Sequence, residues 1–451
     1  MARTTDMTTG NPMKLLLSFS LPLIITNIGQ QLYMIADASI VGRGVGVKAL
    51  AAVGATDWSY WLILWTVTGL TQGFSTFVSR YFGEKNYKDM NNTISMSTIL
   101  CLIIGGILTV IGLLVAKPLL LLLNTPSDIL EGAVTYLITM ISGTLIVVAY
   151  NMAASILRAF GDGKTPLTAM VIAALLNIGL DVLFVFVFHM GIFGAAIASV
   201  LSQLVSFIYC LNNLLKLDFV HLGKGAWKLN PSLLKNMIIF GLPVALQYII
   251  IALGGIILQS AINLQGSVFI AGYTATNKVY GLLESSAISL GLACSTFFAQ
   301  NFGAKNYDRF KEGLYISVKI VLIMAVVVSC LTLLVRHYLL QLFLNVSEEG
   351  GPEALEIAVH YLSIMAYCLI VLYLLHVFRN ALQAMEISIW SMISGIAEFA
   401  ARVIMSKVII HFIGSDALFI SEPVAWLGAL LCVLLPYIYY HKKLLKNKEA
   451  V

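Results

Sequence analysis

Two acidic residues lie in otherwise apolar stretches of the first half of the chain. Asp37 lies within YMIADASIV and Asp181 within LLNIGLDVL. Asn177 precedes Asp181 by four residues, so the two side chains share one face of a helix. A carboxylate at the centre of a membrane helix costs about 2.5–3.5 kcal/mol on insertion scales, and such residues usually face a cavity on an ion or substrate pathway. We therefore interpret both aspartates as candidate cation ligands.

Ser199, in the sequence GAAIAS, adds a hydroxyl on the next apolar stretch. Two carboxyls, an amide and a hydroxyl would form an oxygen-rich site in a medium of low dielectric constant, and such a site suits either a proton or a sodium ion. The alternative is structural, with each aspartate bonding a neighbouring hydroxyl or capping a broken helix. No organic cofactor and no other metal is expected, and H⁺ or Na⁺ would be the only ion bound.

The composition predicts a polytopic membrane protein. Hydrophobic residues make up 59% of the chain and charged residues 11%, and the mean hydropathy is +0.91, whereas soluble domains are about 25% charged. A membrane-spanning helix needs about 20 apolar residues. Twelve such spans are predicted, at 13–40, 49–77, 92–116, 130–152, 166–188, 193–215, 236–258, 270–296, 314–336, 357–380, 386–411 and 421–441.

The chain contains an internal duplication. STF followed by FGEKNY at residues 75–87 returns as STF followed by FGAKNY at residues 295–307, and FSLP at 19–22 returns as FGLP at 240–243. Repeated membrane halves are typical of secondary transporters. Because six spans per repeat is an even number, the halves should be parallel. We predict an all-α protein with a first lobe at 1–215, a cytoplasmic linker at 216–229 and a second lobe at 230–451.

Basic residues indicate the orientation. With a cytoplasmic N-terminus, only Arg43, Lys48, Lys117, Arg336 and Lys407 fall in outer loops, while most other basic residues fall inside. The net charge of +5 is then an orientation signal and does not indicate a nucleic-acid partner. We expect a monomeric, multi-pass protein of the cell membrane, surrounded by lipid, with both termini in the cytoplasm.

The second half does not repeat the acid pair. At an offset of 221 residues, Asn177 aligns with Glu398, Asp181 with Arg402 and Asp37 with an apolar leucine. Glu398 and Arg402 are four residues apart with opposite charge, and can neutralise each other as a structural ion pair. The remaining alternative for this pair is contact with substrate.

Other polar residues within the spans are candidates for a substrate cavity. Glu284 has no partner on its own helix face, and it would either attract a cationic substrate or reach Arg402 or Lys319. Tyr33, Tyr150 and Gln247 are further cavity candidates, because aromatic and adaptable walls suit flat lipophilic cations.

Pro22 lies inside the first span, about four turns from Asp37. A proline within a helix removes one backbone donor and bends the helix. It could act as a hinge that responds when the charge on Asp37 is neutralised, and a static kink is the alternative.

These segments together resemble the multidrug and toxic compound extrusion (MATE) family. The resemblance rests on Pro22 with IADASIVGR, on RYFGEKNY, on LRAFGDGKTP and on LNIGLD, and it covers nearly the whole chain. It implies two six-helix lobes around a V-shaped cavity, and export of organic cations and drugs by alternating access against H⁺ or Na⁺. The family's first-lobe cation site matches Asp37, Asn177, Asp181 and Ser199.

One branch of the family uses acids on the seventh and tenth spans. That pattern is not matched here, because the seventh span offers Gln247 and the tenth has no acidic residue from 361 to 384.

Two other functions were compared with antiport. A flippase for lipid-linked sugars would need several unpaired arginines to move a pyrophosphate, and only Arg402 lies deep in a span. An intramembrane enzyme would need a nucleophile with its base or a metal motif, but the sequence has no HExxH and no GxSxG, and its seven histidines are scattered. We therefore predict a transporter and not an enzyme.

Overall fold

The computed structural model describes residues 4–123, 125–344, 347 and 350–449. All regular secondary structure in these residues is helical. Apolar side chains on helices that satisfy their own backbone hydrogen bonds are what a bilayer requires. The all-α class predicted from the sequence is confirmed.

The helices of the first half are long, and two of them are interrupted. The α4 and α5 helices meet at Gly143 with a bend of 47° and together cover one predicted span. A π-helical segment, Val182–Val187, directly follows α6. The bounds are α1 Pro12–Gly44, α2 Val47–Gly83, α3 Tyr87–Leu122, α4 Ser127–Ser142, α5 Thr144–Ala159, α6 Lys164–Asp181 and α7 Gly191–Leu215.

The second half repeats this arrangement, including a second π-helical segment at Met405–Ile409. Its bounds are α8 Pro231–Asn263, α9 Ser267–Gly303, α10 Tyr307–Gln341, α11 Gly351–Ala384, α12 Ile389–Ile404, α13 Ile410–Ile413 and α14 Asp416–Glu449. Each of the twelve predicted spans falls on a helix or on a bent or interrupted helix.

Within the described residues, nine helices are long and apolar enough to cross a membrane, or ten if the bent α4–α5 pair counts as one span. The α2 helix is absent from this set, since it is rich in Trp, Tyr, Ser and Thr. The α12 helix is also absent, because it has only 16 residues before the π-helical segment. The count of twelve spans remains a prediction.

The repeated FGxKNY motif forms the same turn in both halves. Lys85 and Lys305 both adopt a φ of 56°, a left-handed conformation that reverses the chain after a helix. The next residue caps the following helix, because Asn86 accepts a hydrogen bond from the Asp89 backbone N–H and Asn306 accepts one from that of Arg309. The duplication is therefore visible in the backbone.

The chain divides into two compact units. The first contains Leu21–Ala245 with the N-terminal segment up to Thr8 and Gly303–Lys305. The second contains Leu246–Phe302, the chain from Asn306 onwards and Thr9–Ser20. In the first unit α6 packs on α7, and in the second α11 and α12 pack on α14. The lobe limits predicted from the sequence stay predictions.

The segment that follows α7 is attached to the first unit. The Asn91 side chain donates to the Phe219 carbonyl at 2.9 Å and accepts from the His221 backbone N–H at 2.8 Å. Asn92 donates to the carbonyls of Ala226 and Lys228, each at 2.9 Å. The Phe219 ring packs among three aromatic rings, those of Phe82, Tyr87 and Phe160.

Candidate functional site

The predicted acid pair comes together inside the first unit. Asp181, the last residue of α6, is fully buried, and Asp37 on α1 is partly buried. The two carboxyl groups lie within hydrogen-bonding reach of each other. Asn177, one turn before Asp181, is also fully buried, and Ser199 on α7 is 5% exposed. All four predicted cation ligands therefore lie in one cluster.

Asn177 connects Asp181 to Ser199. The backbone N–H of Ser199 can only donate, so the amide oxygen of Asn177 faces it, at 3.1 Å, and also accepts from the Ser199 hydroxyl at 3.2 Å. The amide nitrogen then donates to Asp181 Oδ2 at 2.8 Å. Because the amide nitrogen can only donate, Asp181 Oδ2 is the acceptor of this hydrogen bond.

Each aspartate keeps one oxygen for another ligand. Asp37 Oδ1 and Asp181 Oδ1 are buried and have no hydrogen-bond partner among the described residues. Two carboxyl groups in contact can share a hydrogen bond only if one of them is protonated; otherwise a cation must lie between them. The geometry is therefore suited to one proton or one small monovalent cation.

Tyrosines surround this pair. The Tyr33 hydroxyl lies 3.3 Å from Ser199 Oγ, so this cavity candidate belongs to the cation cluster. Tyr33 and Tyr136 both lie within electrostatic range of Asp37, and Tyr60 lies within range of Tyr33. Residues Tyr60 and Tyr136 were not predicted as site residues, because the sequence does not show which aromatics of a span face inward.

The backbone beside the site is irregular. The π-helical segment begins at Val182, immediately after Asp181. In a π-helix each hydrogen-bonded turn spans one residue more than in an α-helix, and such segments occur frequently at functional sites. This change of pitch ends the α-helical register at the acidic residue and brings Val185 into the core that contains Val41, Tyr136 and Ala196.

The second unit contains a buried ionic network instead. Glu398 lies 2.5 Å from Arg379 and 3.4 Å from Arg402. Arg402 also donates two hydrogen bonds to Glu422, at 2.9 and 2.8 Å, in the bidentate geometry that orients a guanidinium strongly. Arg379 donates a further bond to Ser394 at 3.1 Å.

Two members of this network were missed by sequence reasoning. Glu422 lies at the edge of the last predicted span, where a charge is expected at the membrane surface. Arg379 is one of the basic residues that the orientation rule places on the cytoplasmic side, yet it is 5% exposed and ion-paired. The signal available for Arg379 was its alignment with Arg158 at the repeat offset of 221 residues; Arg158 is half-buried and bonds Ser155 on its own helix at 2.6 Å.

The other predicted cavity residues lie in three places. Glu284 on α9 is partly buried, shares a hydrogen bond with Tyr280, and lies within electrostatic range of Arg402. Lys319, its other suggested partner, instead lies over the ring of Tyr315 at 4.3 Å. Gln247 on α8 is 2% exposed.

Tyr150 on α5 is buried near Arg158 and Cys210. It is therefore placed with a basic neighbour and not with the acid pair. Pro22 is buried within α1, which continues through it, and its carbonyl accepts a 2.7 Å bond from the Thr26 hydroxyl.

No group of three or more His, Cys, Asp or Glu side chains with metal-binding geometry occurs in the described part of the chain. The oxygens of Asp37, Asp181 and Ser199 are hard ligands of the kind that alkali cations prefer.

Comparison with known proteins identifies relatives along almost the whole chain. The MatE family model matches residues 22–183 and 243–440. The protein is 27% identical over 436 residues to "Probable multidrug resistance protein YoeA" of Bacillus subtilis (strain 168), which covers 94% of this chain and 93% of that one. It is 31% identical over 307 residues to "Probable multidrug resistance protein YpnP" of the same organism, covering 67% of this chain and 68% of that one.

Solved structures share the fold. A crystal structure of MATE in complex with MaL6 superposes with a TM-score of 0.89 at 23% identity, over 98% of this chain and 99% of that one. An outward-facing multidrug resistance MATE family transporter of the MOP superfamily superposes with a TM-score of 0.88 at 24% identity, over 98% and 99%. The twelve predicted spans fit this fold.

Proposed function

Because the chain belongs to the MatE family, it is a membrane transporter and not an enzyme, and we propose that it exports drugs and other organic cations by antiport. Entry of H⁺ or Na⁺ drives export through alternating access. The multidrug resistance names of the relatives YoeA and YpnP support small lipophilic or cationic substrates. The protein acts as a monomer in the cell membrane, with both termini in the cytoplasm.

The observation that carries the coupling proposal is the acid pair. Asp37 and Asp181 lie in contact, each with one buried oxygen that has no partner among the described residues. None of the ion pairs that join described residues involves either side chain. A buried carboxylate without a basic partner needs a proton or a metal cation. The coupling cation therefore binds in the first lobe, with Asn177 and Ser199 orienting the acids.

Cation entry and substrate export are coupled because the cation-bound and cation-free states of the acid pair exclude each other. When the cation binds, the acid pair loses one unit of negative charge, and the first lobe attracts a cationic substrate less strongly. When the cation leaves, the negative charge returns. A ligand shifts a conformational equilibrium only through its different affinity for the two states, and neutralisation of Asp37 supplies that difference.

Pro22 is the proposed hinge of α1. The proline has no N–H to donate to the carbonyl of Ser18, so the helix is more easily bent at that turn. Replacing it in Pro22→Ala restores the donor. We expect slower turnover at an unchanged half-saturating cation concentration. A variant with wild-type turnover would show that the kink is static.

The direct test replaces the two acids with amides of the same size. Dye efflux is measured from proteoliposomes with separately imposed proton and sodium gradients, using Asp37→Asn and Asp181→Asn. Both should lose cation-driven efflux. Asp128→Asn is the matched control, since Asp128 is exposed and contacts Lys48 at 3.4 Å. Wild-type cation-driven efflux in both test variants removes the mechanism.

Other candidates have supporting roles. Glu284 and Gln247 are proposed to line the second-lobe part of the substrate cavity, and Glu398 with Arg402 is a structural ion pair. The flippase alternative is not favoured, because Arg402 is engaged by Glu398 and Glu422 and would have to break both pairs to bind a pyrophosphate.

A further inference from the structure

The ionic network of the second unit contains more acids than bases. Glu284, Glu398 and Glu422 are three carboxyls, and Arg379 and Arg402 are two guanidiniums. All five lie in one electrostatic neighbourhood, because Glu284 lies within range of Glu398, Glu422 and Arg402, and Glu398 is paired with Arg379. With every group ionised, the cluster has one surplus negative charge.

Glu284 is the carboxylate whose negative charge no guanidinium balances. Both guanidiniums are already engaged, Arg379 by Glu398 and Arg402 by Glu422 and Glu398. Glu284 forms no ion pair with any residue whose position is described, and its partner is the hydroxyl of Tyr280, which donates to it. The Tyr248 hydroxyl is another neutral group within range. Neutral donors cannot balance a charge.

A second observation adds an oxygen beside this network. Gln247 is 2% exposed, and its Oε1 is buried with no hydrogen-bond donor among the described residues. Its side chain packs against Gly395, where a Cβ would lie 3.2 Å from Gln247 Cγ. Gly395 is one turn before Glu398 on the buried face of α12. An acceptor oxygen without a donor is the group that a cation requires.

We propose that Glu284, supported by Gln247 and Tyr280, binds a second exchangeable monovalent cation, H⁺ or Na⁺, during each transport cycle. The proposal rests on the antiport function above. In the repeat register Arg402 takes the place of Asp181, so the cluster neutralises two of its three acids with guanidiniums and only the third with a cation from solution. Gln247 and the residues of the cluster lie on α8, α9, α11, α12 and α14.

Trp426 provides a local reporter. This residue is 2% exposed, and its ring stacks on that of Tyr280, with centroids 5.7 Å apart and planes at 17°. Tyr280 bonds Glu284 directly. A cation at Glu284 changes the charge next to this stacked pair and so changes the emission of Trp426.

The binding experiment titrates purified protein in nanodiscs of neutral lipid. NaCl is added at constant ionic strength against choline chloride, and pH is varied separately at constant salt. We expect a saturable emission change with one of the two cations, which disappears in Trp426→Phe and in Glu284→Gln. A Glu284→Gln response equal to that of wild type overturns the proposal.

The transport experiment measures how many cations enter per substrate exported, from the cation gradient that just balances a fixed substrate gradient. We expect two for wild type, and one for both Glu284→Gln and Glu422→Gln. Each change removes one carboxyl and leaves the cluster neutral, so Glu422→Gln tests the same surplus if Glu284→Gln fails to fold. Glu353→Gln, at an exposed acid in the first turn of α11, should remain at two.

The two proposals fail differently. An unchanged ratio of two in both cluster variants overturns the second site and leaves the antiport proposal intact. Cation-driven efflux that survives Asp37→Asn and Asp181→Asn but is lost in Glu284→Gln overturns the first-lobe mechanism and supports the second site.

Discussion

Replacing Asn177 with alanine should change cation affinity, with a sign that depends on the coupling ion. Asn177 donates to Asp181 Oδ2 at 2.8 Å and accepts two bonds from Ser199. A hydrogen bond to a charged group contributes about 1.5–3 kcal/mol. At about 1.4 kcal/mol per factor of ten, its loss changes affinity roughly 10- to 100-fold.

If the ion is H⁺, the affinity should rise. The amide donor favours the ionised form of Asp181, so a variant without it holds its proton more tightly and transport saturates at a lower proton concentration. If the ion is Na⁺, the affinity should fall, because loss of a group that orients a ligand typically weakens binding about 10- to 100-fold. The direction of the shift therefore identifies the ion.

The assay is substrate efflux from proteoliposomes as a function of external pH or sodium concentration. Asn151→Ala is the matched control, since Asn151 bonds only to a carbonyl of its own helix among the described contacts, that of Val147 at 2.9 Å. Ser199→Ala should have a smaller effect, about fivefold, because its bonds are neutral. A half-saturation value for Asn177→Ala within twofold of wild type, for both cations, would refute the reasoning.

Two further predictions concern stability and the segment after α7. Arg379→Gln leaves Glu398 with Arg402 as its only basic partner, at 3.4 Å. Breaking a buried ion pair costs about 3–5 kcal/mol, so the Tm in detergent should fall clearly. The double variant Arg379→Met with Glu398→Met should recover part of the loss. An unchanged Tm for Arg379→Gln would contradict the pairing. Asn91→Ala removes the hydrogen bonds to Phe219 and His221, which contribute about 1 kcal/mol each. Trypsin should therefore cleave faster at Lys224 and Lys228. The control is Asn213→Ala, because the Asn213 amide bonds Tyr209 on its own helix. Equal cleavage rates would argue against this attachment.

The fold was largely predictable because a bilayer permits few solutions. Long apolar runs must be helical, and their number and the repeated motif identify two related halves. The first-lobe cluster was predictable for a related reason, since Asp37 and Asp181 are costly in lipid and the i, i+4 spacing puts Asn177 beside one of them.

The remaining features of the fold and the site could not be predicted, because most of them depend on contacts between residues far apart in the sequence. Helical periodicity indicates which residues share a face but not what that face meets, so Glu422 of α14 could not be assigned to Arg402 of α12. Tyr33 was predicted to line a substrate cavity, and only the tertiary structure places its hydroxyl near Ser199 of α7. The bend at Gly143 and the two π-helical segments lie within continuous apolar runs and have no hydropathy signal.

The two π-helical segments are a feature that both repeats share. Such a segment arises when one extra residue is inserted into an α-helix. Val182 and Met405 begin their segments at nearly equivalent positions of the two repeats, although the flanking side chains have diverged to Asp181 in one half and Arg402 in the other. A shared change of pitch beside different side chains indicates that this irregularity belongs to the repeated backbone, whereas the chemistry next to it differs between the two halves.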